Sequence, residues 1–413
     1  MDLRGYETVS PHGWGLPLPT EAADRLLADC VGLTWREILE TARRVGEFVL
    51  GLYDEDAGAL HHYYEATTGR LGPLNQSNFL MALNFVTLYD LFGQADMLER
   101  ARRCFHWATE HWCETHPTLF WRGGVRDGER PQDLWVKYTG DALWLAQALE
   151  RRLPSASQRQ AIAMFHSFLR RARENGFACT FDRSAFAWRS RGNVWHAFGF
   201  PVTAYLELHE ASGDERYLRE AVAWGEHALT LQADNGLFYL IDGEFWNSDL
   251  TAPELRGLVF LWEATGRRRY LRSARRFADA VLALQNPDGS WPLGVDREGE
   301  RAIEVVGPGD GPNIAMSLIR LHAATGEASY LDAALRAVRY GLSMQAEEGG
   351  KYPVHLDDPR VRHGFWSWDP LYDQTLSGDQ SVHHLRGLVF TASYVAALAT
   401  RAVGAPSPTP GPG

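Results

Sequence analysis

One short motif recurs along this chain and constrains its fold more than any other feature. The motif consists of the end of one helix, a glycine and, four residues after the glycine, a Tyr-Leu pair that begins a second helix. Its glycines are Gly213, Gly266 and Gly326. A weaker copy surrounds Gly93. Glycine suits a helix C-cap because it adopts the left-handed conformation without a Cβ clash. Successive glycines lie 120, 53 and 60 residues apart, and the first gap accommodates two repeats with a divergent turn near Pro154. Regular spacings of this size predict stacked helical hairpins.

A second series alternates with the first and marks the other end of each hairpin. Its members are glycines followed closely by an apolar or aromatic residue, at Gly58, Gly176, Gly236, Gly289 and Gly350, while Thr118–Trp121 occupies the sixth place. We interpret these segments as short extended loops that leave the second helix of each hairpin. Apolar periodicity near 3.6 residues predicts twelve helices, near 35–53, 76–92, 96–112, 138–152, 156–174, 194–212, 214–232, 252–265, 268–285, 312–325, 328–345 and 382–402.

The two terminal helices decide how the hairpins assemble. The helix at 35–53 has no partner before it and the helix at 382–402 has none after it, so an open stack would expose two apolar faces. We therefore predict an all-α (α/α)6 toroid, a six-hairpin barrel whose ring closes where the last inner helix meets the first helix. The barrel spans 35–403 as a single domain, an N-terminal extension at 1–34 packs on it, and the Pro/Gly-rich tail at 404–413 is expected to be disordered.

Charge and cysteine content narrow the function classes. The 413-residue chain has a formal net charge of -11, which argues against nucleic-acid or anionic-membrane partners. It shows no targeting segment and no apolar run of the roughly 20 residues that span a bilayer, so a cytoplasmic protein is expected. The four cysteines form no CxxC pair, and the histidines lack zincin-type spacing, so neither a metal site nor a cofactor is expected. The oligomeric state stays open.

Residues that could take part in catalysis or binding are most frequent where the long loops lead into the inner helices. Six helix starts are rich in polar residues, among them Asn75, Gln76, Asn78, Tyr138, Asp141, Asn193, His196, Asn247, Asp249, Asp310, Asn313, Asp379, His383 and His384. Any one of them can be an ordinary N-cap. Aromatic residues also crowd these loops, and they either fill the core or stack on sugar rings or hydrocarbon.

The segment that begins at Trp188 resembles a motif of a known enzyme family. The segment Trp188-Arg-Ser-Arg-Gly-Asn-Val-Trp195 resembles the Trp-x-Arg-Gly-Asn-x-Trp segment of unsaturated glucuronyl and rhamnogalacturonyl hydrolases, with one extra residue before Arg191. Those enzymes are six-hairpin (α/α)6 barrels, and an Asp at an earlier inner-helix start acts as their general acid and base. The resemblance implies that role for Asp141.

Two further resemblances are shorter. His383-His-Leu-Arg386 is similar to the His-x-x-Arg segment of the N-acylglucosamine 2-epimerase family, which is also an (α/α)6 barrel and uses two opposed histidines, here His384 and His196. Gln285-Asn-Pro-Asp-Gly-Ser-Trp291 is similar to the Gln-Trp repeat of squalene-type cyclases, although their Asp-x-Asp-Asp motif is missing.

The leading hypothesis is a glycoside hydrolase that acts on small acidic oligosaccharides. Asp141 would exchange the proton, and Asp249, Asp310 or Asp379 would supply the second carboxylate. Arg189 and Arg191 would clamp a uronate carboxylate. The remaining predicted substrate-binding residues are Asn78, Tyr138, Trp121, Trp195, Trp246, Trp291, Asp310, Trp366 and Trp368. The alternatives are a sugar epimerase or polysaccharide lyase with His196 and His384 as acid and base, a terpenoid cyclase with an aromatic funnel, and a non-catalytic scaffold.

Overall fold

A ring of paired helices forms the body of the protein. The computed structural model describes residues 21–116, 121–128, 132–190, 198–239, 245–300, 302–352 and 357–404. Its helices are α1 (Glu21–Val31), α2 (Trp35–Gly51), α3 (Asn78–Met81), α4 (Leu83–Phe92), α5 (Ala95–Trp112), α6 (Val136–Arg152), α7 (Ala156–Glu174), α8 (Gly199–Ser212), α9 (Glu215–Leu231), α10 (Ser248–Thr265), α11 (Arg268–Ala283), α12 (Asp310–Thr325), α13 (Ala328–Ser343) and α14 (Gly378–Gly404).

The inner helices close a continuous ring. Helices α3 and α4 together, then α6, α8, α10, α12 and α14, each contact the next, and α14 returns to contact α3 and α4. Helix α2, the first helix predicted from the sequence, packs against α14 and α4, which confirms the predicted closure. The short helix α1 packs against α14 and α13 on the outside of this seam.

Sequence composition separates inner helices from outer ones. Nearly all residues of α10 from Ser248 to Leu261 are buried, because this helix is surrounded by other helices on every side. Helix α11 instead buries one stripe, which includes Tyr270, Ala274, Phe277 and Val281. Such a stripe recurs every three or four residues and is typical of a helix with one face in solvent. A helix that is apolar nearly all round therefore belongs to the inner ring, and a helix with a single apolar stripe belongs to the outer layer.

The glycine turns have the predicted conformation. Gly93, Gly213, Gly266 and Gly326 have φ angles of 69°, 68°, 65° and 75°, and each donates its N–H to the carbonyl four residues earlier. At the opposite end Gly236 and Gly289 also have positive φ. A Cβ at either would lie 2.4 Å from a carbonyl oxygen of the neighbouring outer helix. Only glycine therefore lets these loops pack so closely.

Small antiparallel sheets occupy the long-loop end of the ring, where the sequence predicted extended loops. They comprise β1 (Tyr53–Asp54) and β2 (Ala59–Leu60); β13 (Thr375–Ser377), β3 (Tyr63–Glu65) and β4 (Arg70–Leu71); β5 (Cys113–His116), β6 (Trp121–Arg126), β7 (Asp133–Trp135), β8 (Thr180–Asp182) and β9 (Ala187–Arg189); and β10 (Phe245–Asn247), β11 (Gly294–Asp296) and β12 (Ala302–Ile303). Strands of two to six residues are too short to show a clear alternation in sequence. The pairing of Ser377 with Tyr63 ties the last long loop to the first.

Candidate functional site

A cavity of about 480 Å³ opens among the long loops, a volume typical of small-molecule sites. It lies over the N-terminal ends of the inner helices. Its lining comprises His62, Tyr63, Leu80, Lys137, Asp141, Trp144, Phe200, Asn247, Asp249, Pro253, Arg256, Leu293, Gly307, Asp310, Asn313, Ser367, Trp368, Asp373, Thr375, Ser377, Asp379, Gln380 and His383.

Four predicted carboxylates meet in this cavity. Asp141, Asp249, Asp310 and Asp379 lie in the first or second turn of α6, α10, α12 and α14. The ring places the N-termini of inner helices at one end, so residues up to 238 positions apart in sequence become neighbours (379 minus 141). Predicted residue Trp368 also lines this cavity.

An ion pair ties one of these carboxylates to a lysine. Lys137 Nζ lies 3.0 Å from Asp249 Oδ2, with both side chains largely buried. Burial opposes the lysine charge, but the carboxylate of Asp249 outweighs it and raises the pKa of Lys137. The lysine therefore stays protonated. At the start of α10, the Asn247 side chain accepts a hydrogen bond of 2.8 Å from the Asp249 N–H, which fixes the helix start that carries the carboxylate.

Asp141 is the carboxyl group with the clearest sign of a proton-transfer role. Its exposed fraction is 3%, and Oδ1 has no hydrogen-bond partner among the described residues. Burial raises the pKa of Asp141 to about 7; the charge of Asp249 adds to this effect, while Lys137 and two arginines oppose it. A carboxyl group with a pKa near neutrality can donate a proton at physiological pH.

Asp310 and Asp379 have opposite electrostatic environments. Burial, reinforced by the charge of Asp249, raises the pKa of Asp310 well above its usual value, and Ser248 Oγ donates a 2.5 Å hydrogen bond to its Oδ2. Burial also opposes ionisation of Asp379, but hydrogen bonding and charge from His62 outweigh it and lower the pKa of Asp379. His62 Nε2 lies 3.5 Å from Asp379 Oδ2. The cavity therefore holds protonated and ionised carboxyl groups together.

A histidine from α14 adds a base to this set. His383 lines the cavity, and its Nδ1 has no hydrogen-bond partner among the described residues. Burial lowers the pKa of His383 to about 4, although Asp249 and Asp379 act in the opposite direction. At neutral pH the ring is therefore uncharged and can accept a proton.

Aromatic and cationic side chains complete the wall. The ring of Trp144 contacts two guanidinium groups, with Arg256 Cζ 4.8 Å and Arg386 Cζ 4.2 Å from its centroid. Such contacts favour the cations and hold the indole in place. Both arginines lie in the same sequence, Leu-Arg-Gly-Leu-Val-Phe, at equivalent places in α10 and α14. Among the lining residues that the sequence analysis did not single out are His62, Lys137 and Trp144, and the doublet His61-His62 was a signal for the first of them.

Several predicted residues lie away from the cavity, which corrects the expectation that they line it. His384 is buried and stacks on Phe365 at 3.8 Å between ring centroids. Trp246, Trp291 and Trp366 are at most 2% exposed and belong to the hydrophobic core, where burying a large aromatic surface stabilises the fold.

Three more predicted residues have structural partners instead. Asn78 is buried and exchanges two hydrogen bonds with the backbone of Leu60, at 2.6 and 2.9 Å. Tyr138 packs on Trp135 with ring centroids 5.6 Å apart. Arg189 forms an ion pair with Asp182 across the β8–β9 hairpin, so the expected uronate clamp lacks this arginine. Arg191, Trp195 and His196 lie outside the described residues, as does the side chain of Trp121.

The described part of the chain contains no group of three or more His, Cys, Asp or Glu side chains arranged to hold a metal ion. None of its helices combines the length and the apolar character needed to cross a bilayer.

The class to which this architecture belongs is the (α/α)6 toroid, and solved structures of sugar-active enzymes share it. No protein-family model and no curated protein matches the sequence. The chain is similar to cellobiose 2-epimerase from Spirochaeta thermophila, with a TM-score of 0.69 and 14% identity, over 92% of this chain and 100% of that one.

Two other structures show the same similarity. A D-mannose isomerase has a TM-score of 0.67 and 12% identity, over 87% of this chain and 97% of its own. The unsaturated glucuronyl hydrolase from Bacillus sp. GL1, described as responsible for glycosaminoglycan degradation, has a TM-score of 0.61 and 16% identity, over 86% and 96%. The predicted resemblance to both hydrolase and epimerase barrels is thereby confirmed, and at these identities the likeness establishes the fold.

Proposed function

We propose that this protein is a carbohydrate-active enzyme, and that it hydrolyses glycosides with Asp141 as the proton donor. The observation that carries the proposal is the environment of Asp141: a buried carboxyl group that lines the cavity, with one oxygen unpartnered and a pKa of about 7. Groups with perturbed pKa values in a concave site are candidates for catalysis. The shared fold of hydrolases and epimerases supports the same class.

The second carboxylate in this proposal is Asp379. Its lowered pKa keeps it ionised when Asp141 is protonated, and a pair of carboxyl groups driven apart in pKa suits acid and base roles. Asp141 would give its proton to the glycosidic oxygen as the bond from that oxygen to the anomeric carbon breaks. Asp379 would accept a proton from the water whose oxygen bonds to the same carbon.

The substrate that fits this cavity best is a neutral sugar. Carboxyl groups outnumber cations in the lining, Lys137 is engaged with Asp249, and Arg189 is engaged with Asp182. An acidic sugar would find few free positive partners here, whereas carboxylates accept hydrogen bonds from sugar hydroxyl groups. The face of Trp368 supplies an apolar surface for a ring. The charged groups of Lys137, Asp249 and Asp379 in the lining would lose hydration against a hydrocarbon, which does not favour the cyclase alternative.

Epimerisation is the second candidate, and His383 is the observation that favours it. A neutral imidazole at the cavity wall can accept a proton from carbon, and the protonated Asp141 can supply one. The base in this version is His383, whereas sequence reasoning expected His384.

Isotope labelling separates the two reactions directly. We would incubate the protein with neutral disaccharides, free reducing sugars and unsaturated uronides in ¹⁸O-water and, separately, in D₂O. Hydrolysis incorporates one ¹⁸O into a released sugar, whereas epimerisation leaves the mass unchanged in ¹⁸O-water under brief incubation and adds deuterium at carbon in D₂O. Asp141→Asn should abolish hydrolysis, and Asp56→Asn, an exposed carboxylate away from the cavity, is the matched control. Full turnover by Asp141→Asn would refute the proposal.

A further inference from the structure

Large apolar side chains that remain exposed are concentrated on one end of the ring. Among the described residues they are Leu71, Leu153, Phe186, Ile303 and Tyr372. Leu153 follows α6 at the end that carries the glycine turns, and the other four lie in long loops at the opposite end of the ring. Tyr372 is the most exposed of them, at 77%. Its loop contributes to the cavity wall, and an exposed aromatic face beside a cavity can stack on a ligand.

The loop that carries Tyr372 is closed and borders the cavity on both sides. The N–H of Ser367 donates to the Thr375 carbonyl at 2.9 Å, and Thr375 Oγ1 donates to Ser367 Oγ at 2.8 Å. Ser367, Trp368, Asp373 and Thr375 all line the cavity. Tyr372 therefore lies at the tip of a loop whose two arms form part of the cavity wall.

A buried carboxylate anchors this loop to the barrel. Asp369 accepts hydrogen bonds from the hydroxyl groups of Tyr340 and Tyr352 and from Lys351 Nζ. Its backbone exchanges two hydrogen bonds with Val306, at 2.9 and 3.0 Å. This network leaves the loop little freedom, so a ligand that contacts it loses little entropy to loop ordering.

From this placement we propose that Tyr372 forms an outer subsite, which binds the sugar residue next to the one held in the cavity. The inference rests on the proposed carbohydrate activity and extends it. An outer subsite at Tyr372 makes the enzyme selective for oligosaccharides over shorter substrates. A tyrosine face offers a rigid amphipathic surface to the C–H groups of a pyranose ring. A sugar in this subsite contributes binding energy away from the reacting bond.

The test compares substrates of increasing chain length in three variants. With the active substrate identified by the labelling screen, kcat and KM are measured on the shortest member of its series and on members one and two residues longer. Tyr372→Ala should raise KM for the longer substrates by about 3- to 10-fold, as expected for the loss of one aromatic contact, and leave the shortest unaffected. Tyr372→Trp should retain the length preference. Leu153→Ala, at the opposite end of the ring, is the matched control.

The outcomes separate this inference from the function on which it rests. A KM that rises equally for every chain length, or for none, overturns the outer subsite while the carbohydrate activity stands. Loss of kcat on the shortest substrate in Tyr372→Ala also overturns it, because the effect would then lie at the reacting centre. Absence of any sugar turnover by the unmodified protein overturns both proposals.

Discussion

Replacing Asp141 by asparagine should inactivate the protein and stabilise it at neutral pH. The carboxyl pKa rises from an ordinary 3.8 to about 7, a change of about 3 units that corresponds to about 4 kcal/mol. A raised pKa means that the folded state binds a proton more tightly than the unfolded chain. The resulting stability is fully present below pH 4 and is lost as the pH rises through about 7. Asparagine does not titrate, so it avoids this loss.

The assay is urea-induced unfolding of both proteins at pH 4.5 and pH 8, with kcat measured in parallel. The free energy of unfolding of Asp141→Asn should exceed that of the unmodified protein by up to about 4 kcal/mol at pH 8, and by much less at pH 4.5. Removing a general acid should lower kcat by about 10²- to 10⁴-fold. Equal stability differences at both pH values would refute the raised pKa. A kcat within tenfold of the original would remove Asp141 from the mechanism.

Three further predictions follow from the same contacts. Lys137→Met removes a charge that lowers the pKa of Asp141, so the basic limb of the kcat/KM profile should move to higher pH; a limb that stays in place would contradict this. In urea unfolding, Gly236→Ala should cost several kcal/mol and Gly266→Ala about 1 kcal/mol, because only the first adds a Cβ clash to an unfavourable φ; equal losses would contradict the packing. Trp291→Phe should lower stability by about 1 to 3 kcal/mol without changing KM, and a raised KM with unchanged stability would place Trp291 in the substrate site.

Short sequence patterns were sufficient to predict the fold, because each pattern reflects an interaction between residues that are close in sequence. A glycine at a helix C-cap, as at Gly213, reports a left-handed residue whatever surrounds it. An apolar stripe such as that of α11 reports one buried face. Six such hairpins have few ways to bury both terminal helices, and ring closure is the one that the structure adopts. The positions of the four cavity aspartates follow from the same logic, since each lies near the start of an inner helix.

The site could be predicted only in part, because orientation within a helix start is a tertiary property. Neighbouring helical residues point about 100° apart, so His383 faces the cavity while His384 packs on Phe365. Sequence alone could not choose between them. The same limit applies to the tryptophans: Trp368 lines the cavity, whereas Trp366, two residues earlier, is buried in the core, because the chain bends at Ser367 and Trp368.

The helices, the glycine turns, the closed ring and the end that carries the polar groups all follow from patterns in the sequence. Which of those polar groups interact, and which of them are charged, depends on how the helices pack. Lys137 and Asp249, 112 residues apart, form an ion pair because α6 and α10 present their first turns to one cavity. The pKa of Asp141 depends on that pair and on burial by the whole ring. Electrostatic energies depend on distance and local polarity, and neither exists until the ring has closed.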